Sequence, residues 1–331
     1  MFQTEINLFL QSFAAPWLTS VFVAISDLGS TVPTLFIIIS VMFGFHFRNG
    51  LLLAQVMAWN GILTEALKGL FGLPRPMHVD SRVRFLPSQE SFPGSLHRQG
   101  APGFFSPLPA SAVDHFRTLE PGAFGYPSGH SSSAMVLWGS LAAFFKKRWV
   151  RVLALVMIVA IPLSRLYLGR HFLADIMGGL ALGAVILYVS QVLFRPTGKF
   201  YAFLFSGQRR FSFTPAVISL TLYLWGLPLL LIYLLPANGT FLAILLGLNA
   251  GFFILWLQGL PAEGGTPGQR LGRVLVAFLV YFAADWALNL VLRLLSPTPV
   301  PSLLFVKEAL AAFLLIWGGT EANIRLGLYR R

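Results

Sequence analysis

The sequence predicts an all-α, polytopic membrane helical bundle of about nine transmembrane helices, preceded by an amino-terminal interfacial helical segment. Three observations carry this reading. Of 331 residues, 56% are hydrophobic and only 11% are charged, more apolar surface than one soluble domain of this size can hide. Mean hydropathy is +0.73. Apolar runs also recur along the chain at lengths approaching the roughly 20 residues that cross a bilayer core.

These values exclude disorder, a collagen-like chain and a soluble coiled coil. The chain has no cysteine, which removes disulfides, thiolate nucleophiles and cysteine-based zinc sites together. Its formal charge of +12 comes from 24 Lys and Arg against 12 Asp and Glu. In a membrane chain that excess reads as cytoplasmic loop charge and attraction to anionic lipid headgroups. No basic tract flanked by soluble sequence points to a nucleic-acid partner.

The elements follow in order. Residues 1–30 are not a cleavable signal, because no positive region precedes the first apolar stretch and Glu5 sits inside it. From Ile6 to Ile25, Leu, Phe and Trp alternate with Gln, Ser and Thr, which predicts interfacial helices interrupted near Pro16. An ordinary first span is the competing reading. Apolar stretches at about 31–47, 51–71, 131–145, 149–166 and 172–194 make up a first helical core over 31–195. Those at about 213–235, 240–258, 273–293 and 302–320 make up 196–331, additional helices without an assigned role.

Residues 72–127 form the one long loop. Prolines at 74, 76, 87, 93, 102, 107, 109, 121 and 127 prevent it from being one helix. Short helices framing a substrate entrance and a merely ordered surface loop fit its composition equally. If this loop lies outside, Arg48, the Lys146, Lys147, Arg148 and Arg151 cluster, Arg195, Lys199, Arg209, Arg210, Arg270, Arg273, Arg325, Arg330 and Arg331 fall inside. The amino terminus is then outside and the carboxyl terminus cytoplasmic, in agreement with the positive-inside rule.

Three polar islands interrupt this pattern. Lys68, on the last turn of a span, precedes Arg75, which is flanked by Pro74 and Pro76. Span-end cations ordinarily reach for headgroups, yet a guanidinium on a stiffened backbone beside a lysine also suits a tetrahedral dianion. Tyr126-Pro127-Ser128-Gly129-His130 then opens the next span, where Ser128 is a helix cap and the free N–H groups favour phosphate oxygens. His130 lies in that first turn, within reach to deliver a proton.

The third island runs from Ser164 and Arg165 to His171 and Asp175. Spacing of four on a helix puts His171 and Asp175 on one face. The carboxylate can then hold the Nδ1 proton and leave Nε2 free as a nucleophile; an anchored helix end is the plainer alternative. The island supplies too few ligands for a divalent metal. By span parity all three islands reach the same membrane face.

Together, Lys68 with Arg75-Pro76, Pro127-Ser128-Gly129-His130, and Ser164-Arg165 with His171 and Asp175 closely resemble the three signature motifs of the type 2 phosphatidic acid phosphatase (PAP2) superfamily, over roughly residues 50–190. The resemblance implies a metal-independent, cofactor-free acid phosphatase or lipid phosphate phosphohydrolase that passes through a phosphohistidine. It implies His171 as nucleophile, Asp175 as its orienting carboxylate and His130 as general acid. Lys68, Arg75 and Arg165 would bind phosphate oxygens, with Ser128 and the Gly129 N–H as further donors.

The implied substrate is a phosphorylated membrane lipid, as a monoester or a diphosphate, and the implied location a bacterial inner membrane with the site facing the periplasm. A nine-span layout with a long second outer segment is also similar to glucose-6-phosphatase, which implies a sugar phosphate instead. A lipid-linked phosphotransferase and a non-catalytic lipid transporter or scramblase are the remaining alternatives. Asp285, Arg293, Lys307 and Glu308, near apolar runs in the second half, either pair within the bundle or sit at interfacial ends.

Overall fold

The computed structural model describes residues 1–88, 92, 94–119, 123–205, 214–234, 239–296, 298 and 300–330. Arg209, Arg210 and Arg331, which bear on orientation, lie outside the described residues, as do Pro93 and Pro121. The chain divides into two compact units, Met1–Thr34 with Leu63–Tyr188, and Leu35–Ile62 with Val189–Arg331.

The first unit begins with α1 (Glu5–Gln11) and α2 (Pro16–Asp27). Pro16 starts α2 at a position where its missing N–H costs nothing, so the predicted break becomes a helix start. Next come α3 (Thr31–Ile39), which passes into the second unit at Leu35 and continues there as a π-helical turn over Ser40–Phe45, and α4 (Phe47–Phe71), which contributes to both units. Among its described residues the long loop holds two short helices, α5 (Pro76–Val79) and α6 (Ala110–Leu119). Then follow α7 (Gly129–Phe145), α8 (Arg148–Tyr167) and α9 (Leu173–Leu193).

The second unit continues with α10 (Lys199–Leu204), α11 (Pro215–Thr221) and, after a π-helical turn, α12 (Leu227–Leu234). It ends with α13 (Thr240–Gln258), α14 (Pro267–Leu295), α15 (Pro301–Phe313) and α16 (Gly319–Arg325). Here α13 packs closely on α15, because a Cβ at Gly247 would collide with the Ala309 carbonyl. Small residues permit such approach in membrane helices.

Six helices among the described residues are long and apolar enough to cross a membrane, or seven if the bent pair α2 and α3 is one span. The protein is an all-α integral membrane protein with fewer spans than the nine expected. Each predicted apolar stretch is helical, but three fall short alone. Helix α7 has 17 residues and opens with serines; at 1.5 Å per residue it covers about 25 Å of a core roughly 30 Å thick. The 213–235 stretch yields only a short apolar helix, Val217–Leu231, and α3 qualifies only together with α2, from which it bends by 49°. The nine-span layout that supported the likeness to glucose-6-phosphatase falls with the count.

The ionisable residues of the second half pair with one another. Lys307 Nζ lies 2.6 Å from Asp285 Oδ1 and 3.0 Å from Glu308 Oε1, and Asn289 donates to Asp285 at 2.9 Å. Arg293 is exposed.

In the first unit the long loop is tied to the amino terminus. Asp80 is fully buried and accepts from Thr4 Oγ1 at 2.7 Å and from Arg82 N, Nε and Nη2 at 3.1, 3.0 and 2.6 Å. Burial alone would raise this carboxyl, but the hydrogen bonds from Arg82 and Thr4 prevail and hold it at about 2, below the usual 3.8. A depressed folded-state pKa contributes stability that is complete above the unfolded value and is lost as pH falls from there to about 2. Asp80→Asn is therefore expected to cost about 1–3 kcal/mol near neutrality, as buried charge-assisted bonds are lost. It should also flatten the acid limb of stability, read by thermal unfolding in detergent at pH 7 and pH 3. An unchanged acid limb would contradict the assignment.

Candidate active site

Each polar island is fixed by local structure in the first unit. Lys68 closes α4, and its Nζ is held 2.9 Å from Glu65 Oε1, one turn back. Arg75 is extended between its two prolines, at φ −94° and ψ 163°, as a residue before proline tends to be. Its Nε donates to the Ala123 carbonyl at 3.2 Å and its Nη2 to the Phe124 carbonyl at 3.4 Å.

Ser128 caps α7 as expected. Its Oγ accepts from Ser131 N at 3.4 Å and from Ser131 Oγ at 3.0 Å, so its own hydroxyl hydrogen is left to donate. Arg165, in the last turn of α8, is 6% exposed and donates from Nη1 to Ser26 Oγ at 2.6 Å. Its buried Nε has no partner among the described residues.

His171 precedes α9, and its Nδ1 lies 3.1 Å from Asp175 Oδ2. The same oxygen accepts the Phe172 N–H at 3.0 Å, which pins the carboxylate at the start of the helix. Both residues are essentially buried. Burial, then the charges of Arg75 and Arg165, then His130 and Lys68, push the His171 pKa well below its usual 6.5. The imidazole is neutral at pH 7, and all four of those groups are near enough to act on it electrostatically.

The three islands converge. The Ser128 N–H donates to the Asp175 carbonyl at 2.9 Å. A Cβ on Gly129 would stand 3.9 Å from Lys68 Nζ, and one on Gly125 would stand 3.1 Å from Asp175 Oδ2 and 3.3 Å from Arg75 Cγ. Helix α9 reaches this close because Gly179 faces the Ser128 carbonyl, where any Cβ would collide.

A cavity of about 170 Å³ opens beside them. Ser26, Asp27, His130, Arg165 and Arg170 form its polar wall, and Val23, Leu86, Pro87 and Leu168 its apolar one. His171 is not part of this lining. Arg170 stacks 4.0 Å over the Phe85 ring. Its pKa is lowered by burial and by Arg75, while Asp27 opposes the shift. Among the described residues no three His, Asp or Glu converge where they could hold a metal.

Sequence reasoning does not single out Glu65, Ser26, Asp27, Asn7 or Gln11, and it gives Arg170 no role. Asn7 and Gln11 are buried and grip the backbone that leads into His171: Asn7 Nδ2 donates to the Leu166 and His171 carbonyls at 2.8 and 3.1 Å. Their spacing of four is the available signal, and it reads equally as the polar content of an interfacial helix.

Residues 49–199 match the PAP2 superfamily. Three curated bacterial proteins are similar. Phosphatidylglycerophosphatase B of Bacillus subtilis is 26% identical over 187 residues, covering 53% of this chain and 74% of that protein. The lipid A 4'-phosphatase of Bacteroides thetaiotaomicron is 34% identical over 62 residues, 19% of this chain and 28% of that protein. The lipid A 1-phosphatase of Rhizobium johnstonii is 24% identical over 152 residues, 46% of this chain and 50% of that protein. Among solved structures, a transmembrane PAP2-type phosphatidylglycerolphosphate phosphatase from Bacillus subtilis aligns at a TM-score of 0.41 and 25% identity, over 60% of this chain and 86% of that one. The matched span, residues 49–199, is a PAP2-superfamily segment of the phosphatase type, and it contains every candidate site residue.

Proposed function

We propose that the protein hydrolyses a lipid phosphate, monoester or diphosphate, through a phosphohistidine on His171 and without a metal. The observation that carries this reading is the buried His171 with Asp175 Oδ2 3.1 Å from its Nδ1, near enough to Lys68, Arg75, His130 and Arg165 to feel them electrostatically. In the reaction Nε2 attacks phosphorus as the bond to the leaving oxygen breaks, and His130 gives that oxygen its proton. Water then attacks the phosphohistidine, His130 takes the proton, and phosphate leaves with His171 restored.

Lys68, Arg75 and Arg165 bind the non-bridging oxygens, with the Ser128 hydroxyl and the Gly129 N–H as added donors. These contacts strengthen as charge develops in the trigonal-bipyramidal transition state. A cavity lined by two arginines together with leucine, valine and proline suits a phosphate attached to an apolar body. The substrates named for the three relatives, phosphatidylglycerophosphate and lipid A, are of that kind.

We place the site on the periplasmic side of a bacterial inner membrane, with the amino terminus outside, the carboxyl terminus cytoplasmic, residues 1–30 at the outer interface, 31–195 as the catalytic core, and anionic headgroups as lipid partners. The test is phosphate release by the purified protein in EDTA from phosphatidylglycerophosphate, phosphatidate, sphingoid-base phosphate, polyprenyl diphosphate, lipid A and glucose 6-phosphate. EDTA-resistant release from a lipid is the expected result. Release from glucose 6-phosphate alone would overturn the lipid assignment, and dependence on an added divalent metal would overturn the chemistry.

A further inference from the structure

We propose that Asn7 and Gln11 of α1, well outside the segment that matches the family, are positioning residues for the nucleophile; the inference rests on the reading of His171 given above. Residues 166–171 leave α8 and deliver His171 to the site. A helix end has carbonyls without helical partners, and this one is buried where water cannot serve them. Leu166 O keeps a backbone donor, the Gly169 N–H at 3.1 Å, and two side-chain amides supply the further bonds. Asn7 Nδ2 uses both hydrogens to join Leu166 O at 2.8 Å to His171 O at 3.1 Å, the two ends of the segment. Gln11 Nε2 holds Tyr167 O at 3.1 Å and Arg84 O at 2.7 Å, and its Oε1 accepts the Arg84 N–H at 3.0 Å.

The turn between these anchors is at Gly169, with φ +71°. A Cβ there would lie 2.9 Å from Gln11 Nε2 and would strike the Arg84 carbonyl. Only glycine allows the segment this close to the amides. The nucleophile is thereby held at two points. Asp175 fixes the ring through Nδ1, and Asn7 fixes the backbone that carries it. The same short segment begins after Arg165, which Ser26 of α2 holds at 2.6 Å. The amino-terminal helices thus set the spacing between a phosphate-binding guanidinium and the attacking nitrogen.

Misplacing a reacting group by about 1 Å can cost on the order of 100-fold in rate. Asn7→Ala is therefore expected to lower kcat roughly 10- to 100-fold, while KM and inhibition by inorganic phosphate, which depend on the cationic side chains, change less than about threefold. A merely structural role would reduce the folded fraction and leave turnover per folded molecule and the kcat-to-KM balance alone. Folded Asn7→Ala with wild-type kcat overturns the inference, as does an equal loss of phosphate binding and turnover. Should Asn7→Ala fail to fold, Gln11→Ala loosens the same segment from its Tyr167 side and is judged by the same measurements. His171→Ala, run in parallel, separates the two claims: if it is as active as wild type, the nucleophile assignment fails and the positioning role fails with it. If it is inactive while folded Asn7→Ala is unimpaired, only the positioning role fails.

Discussion

His171→Ala is expected to abolish EDTA-resistant phosphate release, by at least about 10³-fold, the scale on which removing a covalent nucleophile acts. On the proposed mechanism His130, which lines the cavity, serves the leaving oxygen, and the hydrogen-bonded carboxylate backs His171. The variant should still bind inorganic phosphate, because Lys68, Arg75 and Arg165 are untouched. Rapid quenching with labelled substrate should trap an acid-labile phosphoenzyme in the wild type and none in the variant. Equal release by the two proteins would sink the mechanism.

That experiment tests residues legible in the sequence itself. Motif spacing picks out Lys68, Arg75, Ser128, Gly129, His130, Arg165, His171 and Asp175, and a helix cap such as Ser128 is local geometry that sequence distance encodes directly; His171, expected on one helical face with Asp175, instead lies before α9 and meets Asp175 from there. What sequence distance cannot encode is which way a polar stripe faces. Asn7 and Gln11 lie on one helical face, as they would in any interfacial amphipathic helix, and only tertiary packing shows that this face points at the carbonyls of residues 166–171. Asp27 is equally obscure along the chain, a lone acid near a helix end until Arg165 and Arg170 share a cavity wall with it.

The span count expected from sequence is too high for a related reason. Hydropathy registers apolar content, whereas crossing also requires unbroken length. Helix α7 gives its first turn to Gly129, His130, Ser131 and Ser132, behind the Ser128 cap, so the residues that build the site are taken from the span. The stretch at 213–235 gives one apolar helix, Val217–Leu231, which runs through the π-helical turn Leu222–Gly226 and is shorter than a span among the described residues.

Asp175→Asn is expected to slow phosphoenzyme formation by roughly 10²- to 10⁴-fold, as loss of a carboxylate behind a catalytic histidine does elsewhere, with little change in KM. The side chains are nearly the same size, so α9 should stay in place, anchored through the Asp175 backbone carbonyl that accepts the Ser128 N–H at 2.9 Å. The chemistry changes all the same. In the wild type Oδ2 accepts from both Phe172 N–H and His171 Nδ1, so the ring proton stays on Nδ1 and the lone pair on Nε2. An amide oxygen at that position accepts the same bonds without the charge that stabilises a positive phosphohistidine. An amide nitrogen there donates to Nδ1 instead, which drives the proton onto Nε2 and removes the nucleophilic lone pair. Either orientation slows attack on phosphorus, while substrate is still gripped by cations that the substitution does not reach. Rapid-quench rates of phosphoenzyme formation, measured beside KM, decide the matter. A wild-type rate would show that Asp175 only anchors the helix, whereas a rise in KM at constant kcat would move it from the nucleophile to the binding of substrate.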